Sequence, residues 1–296
     1  MSDLTHLRSL RPAPNVLAFY DGRVPGQRFM PGANWVDDGA ISLGVASYAV
    51  IDGDQALIYD THVSLAHARA IRAELEAMGI RRFTVVLSHW HLDHVAGTEV
   101  FADCPVIACQ RTLDHLSLHG AGIEDASFHG LPAIKPLILP TQTFSGEMTL
   151  MLGQTEVRLI EANIHSDDAC VLWLPAQRLL LAGDTLEDTV TYVGEPEAFE
   201  VHLADLARLA ALQPTHILPN HGAPDRIAAG GYGPGLISAT ADYIRHLIRC
   251  RSDAAARALP LAEVIAPALT TGDLIWFEPY LDIHAQNLQR VLDSGR

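Results

Sequence analysis

The sequence predicts an α/β protein built from mixed, hairpin-containing sheets with helices beside them, and three features predict it. Two apolar runs in VASYAVIDGDQALIYD are joined by Asp52-Gly53-Asp54, a hairpin signal. Strands and helix are then followed by strands and helix and a helical tail, an order that favours mixed sheets over a purely parallel one. With 49% hydrophobic and 19% charged residues over 296 positions, the chain can bury a sizeable core and is not disordered.

Taken in order, residues 1–44 are rich in Pro and Gly and read as an irregular arm packed on the core, with a short strand near Val16–Tyr20. Ser64 to Met78 carries Leu65, Ala68, Ile71, Leu75 and Met78 at helical spacing, with Ser64 as N-cap and Gly79 just past the end. Phe83–Leu87 is a buried-type strand running into SHWHLDH. Further strands are expected at Met148–Leu152, Val157–Glu161, Cys170–Leu174, Leu179–Ala182 and Thr215–Leu218, with a helix from Ala198 to Leu212. GAPDRIAAGGYGPG reads as a loop, and Leu236–Cys250 and Asp282–Leu292 as helices.

Composition narrows the function. The 35 acids against 20 bases give a net charge of -15, Lys135 is the only lysine, and no basic run is present. Nucleic acid and anionic membrane surfaces are therefore not the expected partners. The N-terminus lacks a signal-peptide core, and the apolar stretch Cys170 to Ala182 is broken by Pro175, Gln177 and Arg178, so no membrane span is expected. Cys104, Cys109, Cys170 and Cys250 follow no zinc-ribbon or disulfide spacing, which suits reduced thiols in a cytoplasmic protein. The fifteen histidines are the compositional oddity.

Six of the residues after the Phe83 strand read His89-Trp90-His91-Leu92-Asp93-His94. A divalent ion needs several nitrogen or oxygen donors converging at about 2.0–2.2 Å. His89 and His91, two apart on extended chain, project to one side, and Asp93 and His94 at the turn into a helix can face a second ion. Trp90, between them, reads first as packing that faces away on an alternating strand, or else as a wall of the pocket.

This HxHxDH pattern resembles the metallo-β-lactamase superfamily, over roughly residues 40–222. The resemblance implies an αββα sandwich of two mixed β-sheets flanked by helices, with residues 45–222 as the catalytic unit and 223–296 as a C-terminal helical extension of the same domain. It also implies further ligands. His165 in EANIHSDD fits the third histidine, Asp184 in LLLAGDT the bridging aspartate, and His221 in ILPNHG the last histidine, with His216 as runner-up. Two divalent ions would follow, zinc foremost and manganese or iron as alternatives. His89, His91 and His165 would hold one, Asp93, His94 and His221 the other, and Asp184 would bridge. Asp60, closing the strand ALIYD, matches a family aspartate that supports the ligand loop from behind.

The implied reaction is hydrolysis by a hydroxide generated between two metal ions, with Asp93 and Asp184 as the catalytic carboxylates. An ester or lactone bond of a small molecule is the expected target; phosphotriester, thioester or β-lactam hydrolysis on the same site, and a mono-iron persulfide dioxygenase, are the alternatives. Lactonases of the superfamily place a tyrosine three residues past the bridging aspartate, where this chain has Glu187 and, five residues further on, Tyr192. The stretch 184–200 is acidic and reads as a solvated loop or an acidic rim. Helical tails in this superfamily often cover the metal cleft, so Tyr280, His284 and Asn287 join Glu187 and Tyr192 as candidate substrate contacts. An apolar patch on arm or tail would make a homodimer.

Overall fold

The computed structural model describes residues 4–294. Its first sheet holds seven strands in sequence order: β1 (Arg8–Ala13), β2 (Val16–Asp21), β3 (Val45–Asp52), β4 (Gln55–Tyr59), β5 (Arg82–Val86), β6 (Val106–Cys109) and β7 (Gln142–Phe144). β1 to β4 run antiparallel, and β4 to β7 run parallel. The parallel half requires crossovers, supplied by α1 (Leu65–Ala77), by the segment containing the short α2 (Leu92–Val95), and by α3 (Gln110–Glu124). The second sheet has the order β12-β11-β10-β9-β8, from β8 (Glu147–Leu152), β9 (Thr155–Glu161), β10 (Cys170–Leu174), β11 (Leu179–Gly183) and β12 (His216–Pro219). Only β11 and β12 pair in parallel, joined through α4 (Phe199–Ala211).

Period-two alternation builds the layers. In β2, Val16, Ala18 and Tyr20 point into the core between the sheets, while Leu17 and Phe19 meet Ile71 and Leu75 of α1 and Leu116 and Ile123 of α3. In β10, Leu172 and Leu174 join the same central core, and Val171 and Trp173 turn outward. They meet α4 and two long tail helices, α6 (Gly235–Cys250) and, beyond the short α7 (Ala254–Arg257), α8 (Leu261–Val264) and α9 (Ala266–Thr271), α10 (Tyr280–Ser294). The result is helix, sheet, sheet, helix. No helix among the described residues is long and apolar enough to cross a membrane.

Two stretches differ from the sequence reading. The arm is more regular than its Pro and Gly content suggests: β1 and β2 form an antiparallel pair on the edge of the first sheet, and a π-helical turn spans Val36–Ile41. Its glycines serve the turns, which leaves the alternating RSLRPA and VLAFYD free to pair. The segment after His221 contains α5 (Pro224–Ala228), started by a proline in the first helical turn. The strands β6 and β7 and helix α3 carry too weak a periodic signal to be read in advance.

Candidate metal centre

The sandwich brings the ends of β4, β5, β11 and β12 to one rim, and the loop before β10 joins them. Asp60 follows β4, His89 follows β5, Asp184 follows β11 and His221 follows β12. The backbone there is unusual. Asp60 and His62 both adopt positive φ, 66° and 67°, a costly choice for residues with a β-carbon that clusters at functional sites. Gly183 turns the chain into Asp184 at φ +57°, where a β-carbon would stand 2.8 Å from the Tyr59 hydroxyl.

The seven sequence-predicted donors come together as two groups. His89, His91 and His165 form one and Asp93, His94, Asp184 and His221 the other, the donor atoms of each lying within 4.8 Å of one another. Asp184 Oδ2 stands between them: it is 3.7 Å from Nε2 of both His89 and His165, 3.0 Å from Nε2 of His94 and 3.3 Å from that of His221. Asp93 Oδ2 closes the second group at 3.4 Å from His94 Nε2 and 3.2 Å from His221 Nε2.

The outer nitrogens of the rings are held by the protein. His221 Nδ1 donates to the Gly44 carbonyl at 2.7 Å, and a carbonyl can only accept. His94 Nδ1 lies 3.0 Å from Asp60 Oδ2, and His89 Nδ1 2.8 Å from the Ser88 hydroxyl. Asp60 spans the rim: Oδ1 takes the Ser88 backbone N–H at 2.7 Å, and Oδ2 takes Asn220 Nδ2 as well as His94. Partners of this kind fix the ring tautomer and turn a lone pair inward. Inside, the donors meet only one another or nothing, as where His94 Nε2 meets Asp184 Oδ2 at 3.0 Å. His89 Nε2 and Asp184 Oδ1 are buried with no hydrogen bond, and two ring nitrogens, His91 Nδ1 and His165 Nε2, face each other at 3.0 Å. Buried polar atoms are normally paired, so this inward-facing set fits a bound cation.

The electrostatics agree. Burial and the neighbouring imidazoles hold His89 well below its ordinary value and His91 down to about 3, leaving both neutral. Burial acts against the charges of the second group, yet the carboxylates of Asp184 and Asp93 raise His94 and His221, and those imidazoles keep Asp93 and Asp184 well below the usual carboxylate range. The carboxylates that favour positive charge on these imidazoles would equally favour a divalent ion between them.

A cavity of about 230 Å³ opens over the cluster, with Trp35, Leu43, Trp90, Tyr192 and Ile283 among its walls. Glu187 and Tyr192 both line it. The other tail candidates do not. Tyr280, His284 and Asn287 are buried behind the wall, where the chain between Asp184 and Val193 needs backbone and carboxylate partners. The Tyr280 hydroxyl donates to Glu187 Oε2 at 3.0 Å, Asn287 binds the Thr191 carbonyl and the Val193 N–H, and His284 Nδ1 meets the Tyr243 hydroxyl at 2.9 Å. Tyr280 and Asn287 hold that loop, His284 meets Tyr243 of α6, and none of the three lines the cavity.

Other expectations also change. Trp90 lines the cavity as well as packing, its ring stacked on His115 and His119 at 5.1 and 5.0 Å. The acidic stretch is not a solvated rim at its start, because Glu187 and Asp188 are 2% and 0% exposed and hydrogen-bonded. His216 sits exposed at the start of β12, while His221 joins the cluster. Trp35, Leu43 and Ile283 were not foreseen as walls; an aromatic at Trp35 between Gly- and Asp-rich turns was the one signal available.

Comparison with known proteins gives the same picture. The metallo-β-lactamase DIM-1, in a structure described as exposed to ceftazidime, superposes with a TM-score of 0.61 at 20% identity, covering 83% of this chain and 98% of that one. A metallo-β-lactamase from Pontibacter korlensis gives 0.61 at 15% identity, over 81% and 99% of the two chains. These likenesses show the fold. The "Beta-lactamase-like protein 2 homolog" of Caenorhabditis elegans is 24% identical over 231 residues, 75% of this chain and 66% of its own length. Since the profile of the metallo-beta-lactamase superfamily also matches residues 42–258, which hold β3 to β12 and every donor of the cluster, the chain belongs to that superfamily.

Proposed function

We propose that this protein is a dinuclear metallo-hydrolase that cleaves an ester- or lactone-type bond in a small molecule. One observation carries the reading: seven donors converge in two groups that share Asp184 Oδ2, with the outer nitrogens of His89, His94 and His221 anchored by the protein and the inner donors facing only one another. His89, His91 and His165 would hold one ion, Asp93, His94 and His221 the other, and Asp184 both. Imidazole and carboxylate donors without thiolate suit zinc, with manganese and iron as competitors.

Divalent ions held by these residues would supply a water of pKa lowered towards about 7 and a Lewis acid for a carbonyl. Hydrolysis then adds the water oxygen to the acyl carbon, breaks the acyl C–O bond and moves one proton to the leaving oxygen. Asp93 is the residue placed for that proton, since its side chain is 16% exposed and lines the cavity, whereas Asp184 is enclosed at 3%. Asp60, Ser88 and the Gly44 carbonyl keep the imidazoles oriented through turnover. The walls contribute apolar surface that excludes water from the reacting bond.

Metal content per chain, measured by plasma mass spectrometry on protein purified without added metal, is the test. About two zinc or manganese ions, with chelator-sensitive cleavage within a panel of lactones, esters, thioesters, β-lactams and phosphotriesters, is the expected result. A single iron would transfer the site to sulfur oxidation, with Asp184 as a terminal ligand. A metal-free active protein would end the proposal.

A further inference from the structure

The walls of the cavity are chemically one-sided. Among the described residues no Lys or Arg lines it, and the imidazole of His129, which does, is held below its ordinary value by burial and by His119. Two arginines stand behind its walls, and both are engaged elsewhere. Arg23 donates to the carbonyls of Leu43 and Asp188 and lies over the Phe277 ring, and Arg290 lies over Tyr192 and donates to the Gly194 carbonyl. Nor is a carboxylate free to receive a cation. Asp93 and Asp184 face the imidazoles, and Glu187 accepts from the Tyr280 hydroxyl, the Tyr192 N–H and the Thr191 hydroxyl. A charged group brought to the walls would lose water and gain no partner.

The aromatic walls are held in place. The Trp35 indole N–H donates to the Pro132 carbonyl at 2.9 Å, and the Trp90 backbone N–H donates to Asp168 at 2.9 Å. Tyr192 is pinned between Arg290 at 4.9 Å and His165 at 5.5 Å. Fixed aromatic faces receive flat apolar groups at little entropic cost. At about 230 Å³ the cavity is below the roughly 300–1,000 Å³ of sites for drug-sized ligands.

Resting on the hydrolase reading above, we propose that the site selects small, uncharged esters or lactones whose flat apolar group lies against Trp35, Trp90 and Tyr192, and rejects the same compounds when they carry a carboxylate.

The test uses the metal-loaded full chain with methyl 4-acetoxybenzoate and 4-acetoxybenzoate, which present the same acetyl ester with and without a distant charge. After correction for their reactivity with free hydroxide, kcat/KM is expected to be about tenfold or more higher for the neutral ester. Trp35→Ala is expected to raise KM for that ester several-fold, with a smaller change in kcat. Saturation-transfer NMR with the two product phenols reads recognition without turnover. Selective binding of the neutral phenol with no hydrolysis of either ester would keep the selectivity and overturn the esterase reading. Equal or reversed preference in turnover or binding, or no binding of either phenol, would overturn the selectivity, while chelator-sensitive hydrolysis would leave the hydrolase standing.

Discussion

The molecule buries histidines in two ways. In the cluster, the outer nitrogens of His89, His94 and His221 are anchored, and the inner ones converge on the shared Asp184, that of His89 with no hydrogen bond at all. Nearby in the fold, His67 is as deeply buried but spent on both sides: Nε2 meets Asp21 Oδ2 at 2.9 Å, and Nδ1 meets the Ser64 hydroxyl at 2.8 Å. His62 stacks on it at 4.4 Å, and its own Nδ1 accepts the Val63 N–H. His202 Nε2 pairs with Asn163 and His284 Nδ1 with Tyr243; His62 Nε2 and His202 Nδ1 are left unpaired, but neither belongs to a converging group of donors. Burial, histidine count and a nearby carboxylate are common to both regions. What separates a binding centre from a structural pair is whether unsatisfied nitrogens point at a common place.

Four experiments press on that difference. The largest effect is expected from Asp184→Ala, which removes the oxygen shared by both groups. Bound metal should fall from about two ions per chain towards one, and activity by ~10³-fold, the equivalent of several kcal/mol of transition-state stabilisation. Full metal occupancy in this variant would mean that the two groups do not share a ligand.

Glu187→Gln comes next. Glu187 Oε1 lies 3.2 Å from His165 Nδ1, off the hydrogen-bond direction in the metal-free chain. Losing a carboxylate behind a ligating imidazole typically costs 10- to 100-fold in metal affinity, measurable by competition with a chromophoric chelator.

Asp21→Ala carries the comparison to the other region. It strands the His67 ring and two further donors, Gln27 and the Gly22 N–H. Stability should fall by about 1–3 kcal/mol in denaturant titration with metal content unchanged; loss of metal would show that the two histidine groups are coupled.

The smallest effect concerns pH. Burial first, with a neighbouring imidazole second, lowers His202 and His284 from 6.5 to about 4. The unfolded chain takes up their protons near 6.5 and the folded chain only near 4, so stability is intact above 6.5 and declines as pH falls from 6.5 to 4. Melting temperatures across that window should drop by several degrees, and His202→Gln should flatten the decline.

Much of this was legible beforehand because the signals were local. HxHxDH states four donors in six residues, and LLLAGDT and ILPNHG each place a donor directly after an apolar strand, so three rim positions followed from strand ends. The hairpin at Gly53 and the cap at Ser64 were equally local. What escaped depends on partners far along the chain. Tyr280 and Asn287 look like a polar helix face until the buried Glu187 and the Thr191 carbonyl are found behind it. Trp35 becomes a wall only because its indole is tethered to Pro132, 97 residues away. The arm's strands were obscured by Pro12 inside β1, Pro14 in the turn to β2, and the glycines of the connection from β2 to β3.

The sharing of Asp184 between groups has a polymer consequence. Its neighbours His89 and His221 lie more than a hundred residues apart in the chain and end strands of different sheets. An ion pair of metals seated there would therefore be a reversible crosslink, and a crosslink restricts the unfolded ensemble most when the loop it closes is long. Metal supply would then set how long this protein survives in the folded state as well as how fast it turns over, and the apo chain would be the form that proteases find first.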